Sequence, residues 1–348
     1  MNRSALRVLV TVDQYPKLSQ TYIVHELNVL SRDYQLSILA KTTPNPPSDE
    51  ALPYRRTHPR FRRLQENWAC MRFKPHILHG HWLSQLSTIV RLSRKFSLPF
   101  TLRMHSMCML RLQGRSRDPK VRHLLSPLND ELCLGVLSFP FTRSILEEAG
   151  VRPEKIIDSF PVVNVDRFHN TSPNGDGIMN TGCVLPKKKL EDYLDLAPLV
   201  PERKFNLYPC EYVEGLERLN SSKGGRVRVH QPVPHREIPA RYKKNQWMVY
   251  TACRKLGTVG WPVAVAEAQA SGVGVVFPNL RPDLADYVGK AGYMYDSLEE
   301  AAKIIRQPFP EDKRNLGFDL AERSNFLKHK HLLTELWDRG LDRVDQRA

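Results

Sequence analysis

Short apolar, β-branched runs alternate with amphipathic stretches along this whole chain, and that alternation constrains its fold more than any other feature. Arg7 to Val12 is apolar and β-branched, and Ser19 to Ser31 follows with Tyr22, Ile23, Leu27 and Leu30 at helical spacing. Gln35 to Ala40, His76 to His81, Pro99 to His105 and Leu132 to Phe139 read as further strands, each followed by a helical or polar stretch. This rhythm predicts a parallel sheet covered by helices on both faces, because parallel neighbours need a crossover connection. Asn164 to Thr181, rich in Asn, Asp, Gly and Ser, lacks periodicity and reads as a linker. The alternation then restarts. Gly182 to Leu185, Phe205 to Cys210, Arg226 to Val233, Trp247 to Cys253 and Gly274 to Phe277 read as strands. Leu190 to Leu199 and the small-residue stretch Ala264 to Ala270 read as helices. Asp319 to Trp337 carries Leu320, Phe326, Leu327, Leu332, Leu333 and Leu336 and predicts one long amphipathic helix.

At 348 residues the chain is long for one core and suits two domains. Two doubly wound domains in series would place ligands outside the carboxyl ends of their strands, with the cleft between them as the default site. No apolar run approaches the roughly 20 residues that span a bilayer. Met1 to Val12 lacks a small-residue cleavage site and reads as a first strand, not a signal peptide. The six cysteines are scattered, with no C-x-x-C pair, which predicts reduced thiols in a cytosolic protein. Charge is concentrated: Ala51 to Leu125 holds sixteen Lys/Arg against two acids, Glu66 and Asp118, out of a chain total of +15. Its densest part contains Arg55, Arg56, Arg60, Arg62 and Arg63. Such a field attracts polyanions or an anionic membrane surface, or is a solvated face without a partner. No zinc, helix-turn-helix or RNP pattern accompanies it, so a nucleic-acid partner is not expected.

Three places carry candidate chemistry. His105 ends a strand where the sheet meets the expected cleft, and a histidine there accepts a proton or donates a hydrogen bond near neutral pH, unless it is structural. Lys187, Lys188 and Lys189 follow the first strand of the second half and open a helix, which is either an anion site or a solvated run. Gly257 to Gly272 is a glycine-bearing loop leading into a helix, with Gly260 in the loop and Glu267 inside a small-residue helix. A buried carboxylate needs a partner, which two ribose hydroxyls or an internal salt bridge would supply.

These stretches together resemble the family 4 retaining glycosyltransferases of the GT-B group, in their exopolysaccharide branch. Tyr15 to Leu27, including Ser19 and Thr21, is similar to that family's opening loop and helix. Lys74-Pro75-His76-Ile77-Leu78-His79-Gly80-His81 is similar to its KPDxxHxH strand, and Leu98-Pro99 with His105 to its next strand. Ala149 to Ile156 and Val165 to Phe168 resemble the end of its first domain, and Gly260 to Gly272 its GxPxxxxEAxAxG signature. The resemblance implies an α/β GT-B fold, two Rossmann-like domains with parallel sheets facing an interdomain cleft. It implies that His105 contacts donor sugar or acceptor, Lys188 binds the donor diphosphate and Glu267 grips the ribose. Two positions depart from the pattern. Cys183 replaces a diphosphate-binding arginine, and Val259 replaces a glutamate that touches the donor sugar. Arg254 or Lys255 is expected to supply the missing cation.

The expected organisation is an acceptor-binding domain over 1–164, a linker over 165–180, a nucleotide-sugar domain over 181–318 and a C-terminal helix over 319–348 returning toward the first domain. The expected activity is transfer of a sugar, with retention, from a nucleotide-diphosphate donor to a glycan or lipid-linked acceptor; the alternative is a domain that binds but no longer catalyses. Neither a cofactor nor a metal is expected. Localisation is expected to be cytoplasmic, peripheral at the inner membrane face through Arg55, Arg56, Arg60, Arg62 and Arg63.

Overall fold

The computed structural model describes residues 6–345 except 46, 107, 109–111, 212, 257 and 258. Met1 to Ala5 of the expected first strand, Gly257 and Thr258 of the glycine loop and the last three residues of the expected C-terminal helix lie outside them. The chain forms two compact units, Met1–Phe160 with Phe326–Ala348, and Pro161–Asn325.

The first unit is built on a parallel sheet of seven strands: β1 (Arg7–Gln14), β2 (Gln35–Thr42), β3 (Tyr54–Arg56), β4 (Ile77–His81), β5 (Phe100–Arg103), β6 (Cys133–Ser138) and β7 (Ile156–Asp158). Their order is β3-β2-β1-β4-β5-β6-β7. The second unit holds six parallel strands: β8 (Gly177–Gly182), β9 (Phe205–Pro209), β10 (Val227–Val229), β11 (Asn245–Val249), β12 (Gly274–Pro278) and β13 (Tyr293–Tyr295), ordered β10-β9-β8-β11-β12-β13. In each sheet the winding reverses, between β1 and β4 and between β8 and β11. At such a point neighbouring crossovers leave on opposite faces and open a crevice at the carboxyl ends.

The central strands β4, β5 and β12 are buried at every position because both faces are covered. In β11, Trp247 and Val249 enter one apolar cluster with Ile178, Leu207 and Val276, while Met248 enters another with Met179, Val275 and Phe277. That is the period of two by which successive side chains leave a strand on opposite faces. The three strands that the hydrophobic pattern did not predict, β3, β7 and β13, are three-residue edges with too few alternations to register.

Two expectations need correction. The segment 165–180 is not a linker: Val165–Phe168 is a helical turn with Val165 and Phe168 buried, and β8 starts at Gly177 and ends at Gly182 rather than starting there. Its polar residues cap and turn the chain, the Asn164 side chain accepting from Arg167 N at 3.2 Å and Asn170 Oδ1 from Ser172 N at 2.9 Å. Nor is Asp319 to Trp337 one helix. Glu311–Ala321 is followed by a 3-10 turn over Glu322–Ser324, a short helix Phe326–His329 and the long helix His331–Asp345. Asn325 breaks the run, its amide donating to Glu322 Oε2 at 3.0 Å and to Asp166 Oδ1 at 3.4 Å, and it ends the second unit.

The last helix is anchored in the first unit by Trp337, which is fully buried and donates from Nε1 to Thr101 Oγ1 on β5 at 3.0 Å. Trp337→Ala is expected to destabilise the protein by about 3–5 kcal/mol, the scale of a buried aromatic truncation. Trp337→Phe, which keeps most of the ring volume, is expected to cost about 1–2 kcal/mol for the lost hydrogen bond and smaller ring. Chemical denaturation of the two variants checks both.

Candidate functional site

In the first unit the polar residues gather at the carboxyl ends of β1, β4 and β5. Histidines two apart on β4 leave on the same face, so His79 and His81 both point to Glu26, on the buried side of the helix Thr21–Leu30. Glu26 Oε1 lies 3.3 Å from His79 Nε2 and 3.9 Å from His81 Nε2, and Oε2 pairs with Arg103 Nε at 2.7 Å. All four residues are buried. Burial alone would raise the Glu26 carboxyl, but the Arg103 charge, then His81 and His79, hold it well below the usual carboxylate range. Burial pushes both histidines down. The cluster is thus one carboxylate and one guanidinium with two neutral imidazoles.

Hydrogen bonds assign the His79 tautomer. The ionised Glu26 carboxylate can only accept, so the His79 nitrogen facing it, Nε2, carries the hydrogen and Nδ1 accepts from the Thr101 hydroxyl 2.8 Å away, which in turn accepts from Trp337 Nε1. The ligand atoms of Glu26, His79 and His81 lie within 4.8 Å of one another, a spacing a metal ion could bridge. The set does not suit a metal, because Arg103 already occupies the carboxylate and His79 presents a hydrogen where a lone pair is needed.

His105 lies beyond this cluster. Its Nε2 is 3.2 Å from His81 Nδ1, with the rings stacked at 5.4 Å. Tyr22 and Trp82 flank it at 4.8 and 4.4 Å between ring centroids. Trp82 has φ 81°, a conformation a bulky residue rarely adopts and one that tends to mark functional sites. Cys108 Sγ accepts from the backbone amides of Leu83 and His105, at 3.1 and 3.4 Å, and so ties together the loops after β4 and β5. Burial, then the Arg103 charge, pushes His105 down to about 3, so it is neutral near pH 7 and acts through hydrogen bonds. Ser19 lies just before the helix that Thr21 opens, and both are half-buried. Asp13, at the end of β1, receives Lys41 Nζ at 2.7 Å, Gln85 Nε2 at 2.6 Å and the Ser84 hydroxyl.

In the second unit Lys188 stands at the winding reversal. It ends a 3-10 turn, Pro186–Lys188, after β8, and that turn is stitched to the end of β11. Thr251 Oγ1 donates to Lys188 O at 2.7 Å and Cys253 N to Lys187 O at 2.9 Å. The buried Lys188 ammonium sits 3.8 Å from the centroid of the Tyr250 ring. Gly182 lies beside it, and its φ of 125° disfavours any side chain there. Burial, against weaker opposing contributions from Cys183, Cys210 and Glu267, pushes Lys188 down to about 8. Burial and then the Lys188 charge also push Lys187 down.

Glu267 is buried on the helix Val263–Ala270. It has an internal partner: Tyr242 donates its hydroxyl to Oε2 at 2.9 Å, and His235 Nε2 lies 3.7 Å from Oε1. Arg167 Nη1 meets His235 Nδ1 at 3.1 Å. A guanidinium only donates, so His235 keeps its hydrogen on Nε2, toward Glu267. A carboxylate has about four acceptor positions, so Glu267 retains capacity for a ligand. Val259 and Gly260 are buried, with Val259 in the apolar core of this unit. Arg254 is committed elsewhere, to the carbonyls of Asn279, Tyr295 and Asp296 and to the Asp296 carboxylate, and Lys255 is exposed. The second cation near Cys183 is Lys187 instead. The basic residues of the first unit fall on the edge strand β3 (Arg55, Arg56), on the turn Pro59–Phe61 (Arg60) and on the helix Arg62–Phe73 (Arg62, Arg63).

Sequence reasoning missed Glu26, Arg103, Tyr242 and His235 as site residues. His79 and His81 share one face of β4 by their spacing, but their acidic partner is remote in the chain and only folding places it there.

No protein-family model matches the chain, and no curated protein matches it in sequence. Solved structures do match in fold. Anabaena HepE in complex with UDP-glucose aligns with 98% of this chain and 100% of its own, at TM-score 0.71 and 12% identity. Sucrose-phosphate synthase from Thermosynechococcus elongatus aligns with 96% and 100%, at TM-score 0.70 and 14% identity. WaaG, a glycosyltransferase involved in lipopolysaccharide biosynthesis, aligns with 96% and 98%, at TM-score 0.59 and 11% identity. The chain therefore has the GT-B fold, two α/β units with parallel sheets.

Breaking the Glu26–Arg103 pair on one side leaves a buried, uncompensated charge. Glu26→Met is expected to cost about 3–5 kcal/mol, and Glu26→Met with Arg103→Met to recover much of that loss. Urea unfolding of the single and double variants checks it.

Proposed function

We propose that this chain is a glycosyltransferase that moves a sugar from a nucleotide-diphosphate donor to a glycan or lipid-linked acceptor, with retention, in the manner of the family 4 enzymes its motifs resemble. One observation carries the reading: a buried lysine, with no ion-pair partner among the described residues, stands at the winding reversal of the second sheet near Glu267. The solved HepE structure, which shares the fold, holds UDP-glucose. When the sugar–phosphate bond breaks, negative charge develops on the leaving diphosphate. Lys188, supported by Lys187, would stabilise that charge where burial keeps water from screening it. Glu267, oriented by Tyr242 and His235, would accept from the ribose hydroxyls. In the first unit, neutral His105 would hold a sugar hydroxyl, with Tyr22 and Trp82 offering ring faces. The enzyme would work at the cytoplasmic leaflet, drawn there by its basic face. No described helix is long and apolar enough to cross a membrane.

Cys183 and Val259 motivate a second reading, a domain that binds a nucleotide sugar without transferring it. Binding with no turnover across a panel of acceptors would favour it.

Variants at two residues test the proposal. Lys188→Ala is expected to weaken nucleotide-diphosphate binding by about 1.5–3 kcal/mol in calorimetry. The protonated ammonium is the binding form, and free Lys188 titrates at about 8. Affinity should therefore be flat below pH 8 and fall above it by up to about tenfold per pH unit, because binding must then take up a proton. Lys188→Arg should abolish that fall. His105→Ala is expected to lower transfer by about 10²–10⁴-fold while leaving nucleotide affinity nearly unchanged. Equal losses in both would refute its assignment to the transfer step.

A further inference from the structure

The helix Arg62–Phe73 is amphipathic twice over. Glu66, Ala69 and Cys70 turn inward, with Phe73 packed against the apolar core beside them. At 100° per residue, Leu64, Trp68 and Met71 fall on the opposite side, and Phe61 precedes Leu64 by three residues. That outer stripe has no cover: Phe61 is 50%, Leu64 68%, Trp68 44% and Met71 56% exposed. These four make up half of the eight large apolar side chains exposed among the described residues. Isolated exposed apolar residues need no explanation, but a helical stripe of them does.

The charges around the stripe indicate what covers it. Trp68 lies between two guanidinium groups, with Arg55 Cζ 4.9 Å and Arg72 Cζ 5.2 Å from its ring centroid, and Arg60 Cζ is 5.9 Å from that of Phe61. Arg56 and Arg63 are exposed beside them. An apolar ridge rimmed by arginines, with an indole in its midst, matches the anionic interface of a bilayer. There aliphatic and aromatic groups enter the acyl boundary, guanidinium groups meet phosphates, and tryptophan favours the boundary itself. An acidic protein would satisfy the arginines, but the ridge, which is convex, would need a groove. A second copy would set two arginine-rich faces against each other.

We propose that Phe61, Leu64, Trp68 and Met71 insert into an anionic lipid surface, so that the protein is held there by apolar burial and not by charge attraction alone. This deepens the membrane-facing part of the proposed function, but it stands on residues outside the nucleotide and sugar sites and needs neither ligand for its test. In the free protein the guanidinium groups over Trp68 hold the ring in place; at the membrane they are free to move onto phosphates while the indole sinks beside them.

Co-sedimentation of the full chain tests this with phosphatidylcholine vesicles, with and without phosphatidylglycerol, at low salt and at roughly 0.5 M salt, where the Debye length shrinks to a few ångströms. Wild type is expected to bind the anionic vesicles and to keep a salt-resistant fraction. The variant Leu64→Gln/Trp68→Gln/Met71→Gln is expected to bind at low salt and lose that fraction. The variant with Arg55, Arg56, Arg60, Arg62 and Arg63 changed to Gln is expected to lose low-salt binding by at least about tenfold. All three substituted apolar side chains are exposed, and unchanged nucleotide binding and melting temperature verify that the variant folds. Brominated lipid should quench wild-type tryptophan fluorescence more than that of Trp68→Phe. Three results would each overturn the proposal: no binding to anionic vesicles, identical salt-resistant binding by the apolar variant, or wild-type dimers that this variant dissolves. A vesicle failure with intact nucleotide binding would leave the transferase reading standing, and the converse would leave the lipid surface standing.

Discussion

An ion pair with no access to solvent, Glu26 with Arg103, lies at the carboxyl ends of the first sheet, and much of that unit is arranged around it. Burying two charges is expensive, and their mutual attraction repays the cost only when the remaining polar positions are also engaged. Here ion-pair contacts and one chain of hydrogen bonds contribute. His79 faces the carboxylate with one nitrogen while Thr101 engages the other, and Trp337 donates to Thr101 in turn. Trp337 belongs to the last helix of the chain, so the return of that segment to the first unit is part of the same network. His81, between Glu26 and His105, carries the order outward to the one histidine of the group that lies between two aromatic rings.

The second unit treats charge in the opposite way. Lys188 is as secluded as Arg103, yet no carboxylate neutralises it among the described residues; its ammonium rests on the face of Tyr250. A cation held this way is poised to gain from an incoming anion, which is the physical difference between a scaffold charge and a receptor charge. Glu267 lies between the two cases, oriented by Tyr242 and His235 but not saturated. The same doubly wound architecture therefore serves once as a closed network and once as an open one. That contrast is the physical ground on which diphosphate binding is proposed for the second unit.

Much of this was legible in the order of residues. Most core strands appeared because parallel strands buried on both faces tend to be apolar, as Val8 to Val12 and Gly274 to Phe277 are, whereas the central β8, with Asn180 and Thr181, was read as linker. The edge strands β3, β7 and β13 did not appear, because three residues carry no period. Asn164 to Thr181 read as a linker because capping and turn residues look alike in composition whether they join domains or elements. The C-terminal stretch read as one helix because its leucines keep helical spacing on both sides of Asn325, where the chain in fact passes from one unit to the other.

Lys188 and His105 were identifiable as candidates because each follows a strand, and strand ends are where such sheets bind. Their states were not: a lysine depressed to about 8 by burial, and a histidine near 3 through burial and then the Arg103 charge, depend on how the folded chain encloses them. Arg254 and Lys187 show the same limit. Sequence proximity to the glycine loop favoured Arg254, but three backbone carbonyls and Asp296 engage its guanidinium, while Lys187 is the cation that feels the Lys188 charge. The sequence by itself determined the two parallel-sheet units and the strand ends at which side chains with useful chemistry stand, because both follow from local period and spacing. Only the tertiary structure decided which charges are paired and which are left open, because pairing depends on distances between residues such as Glu26 and Arg103 that no local pattern records.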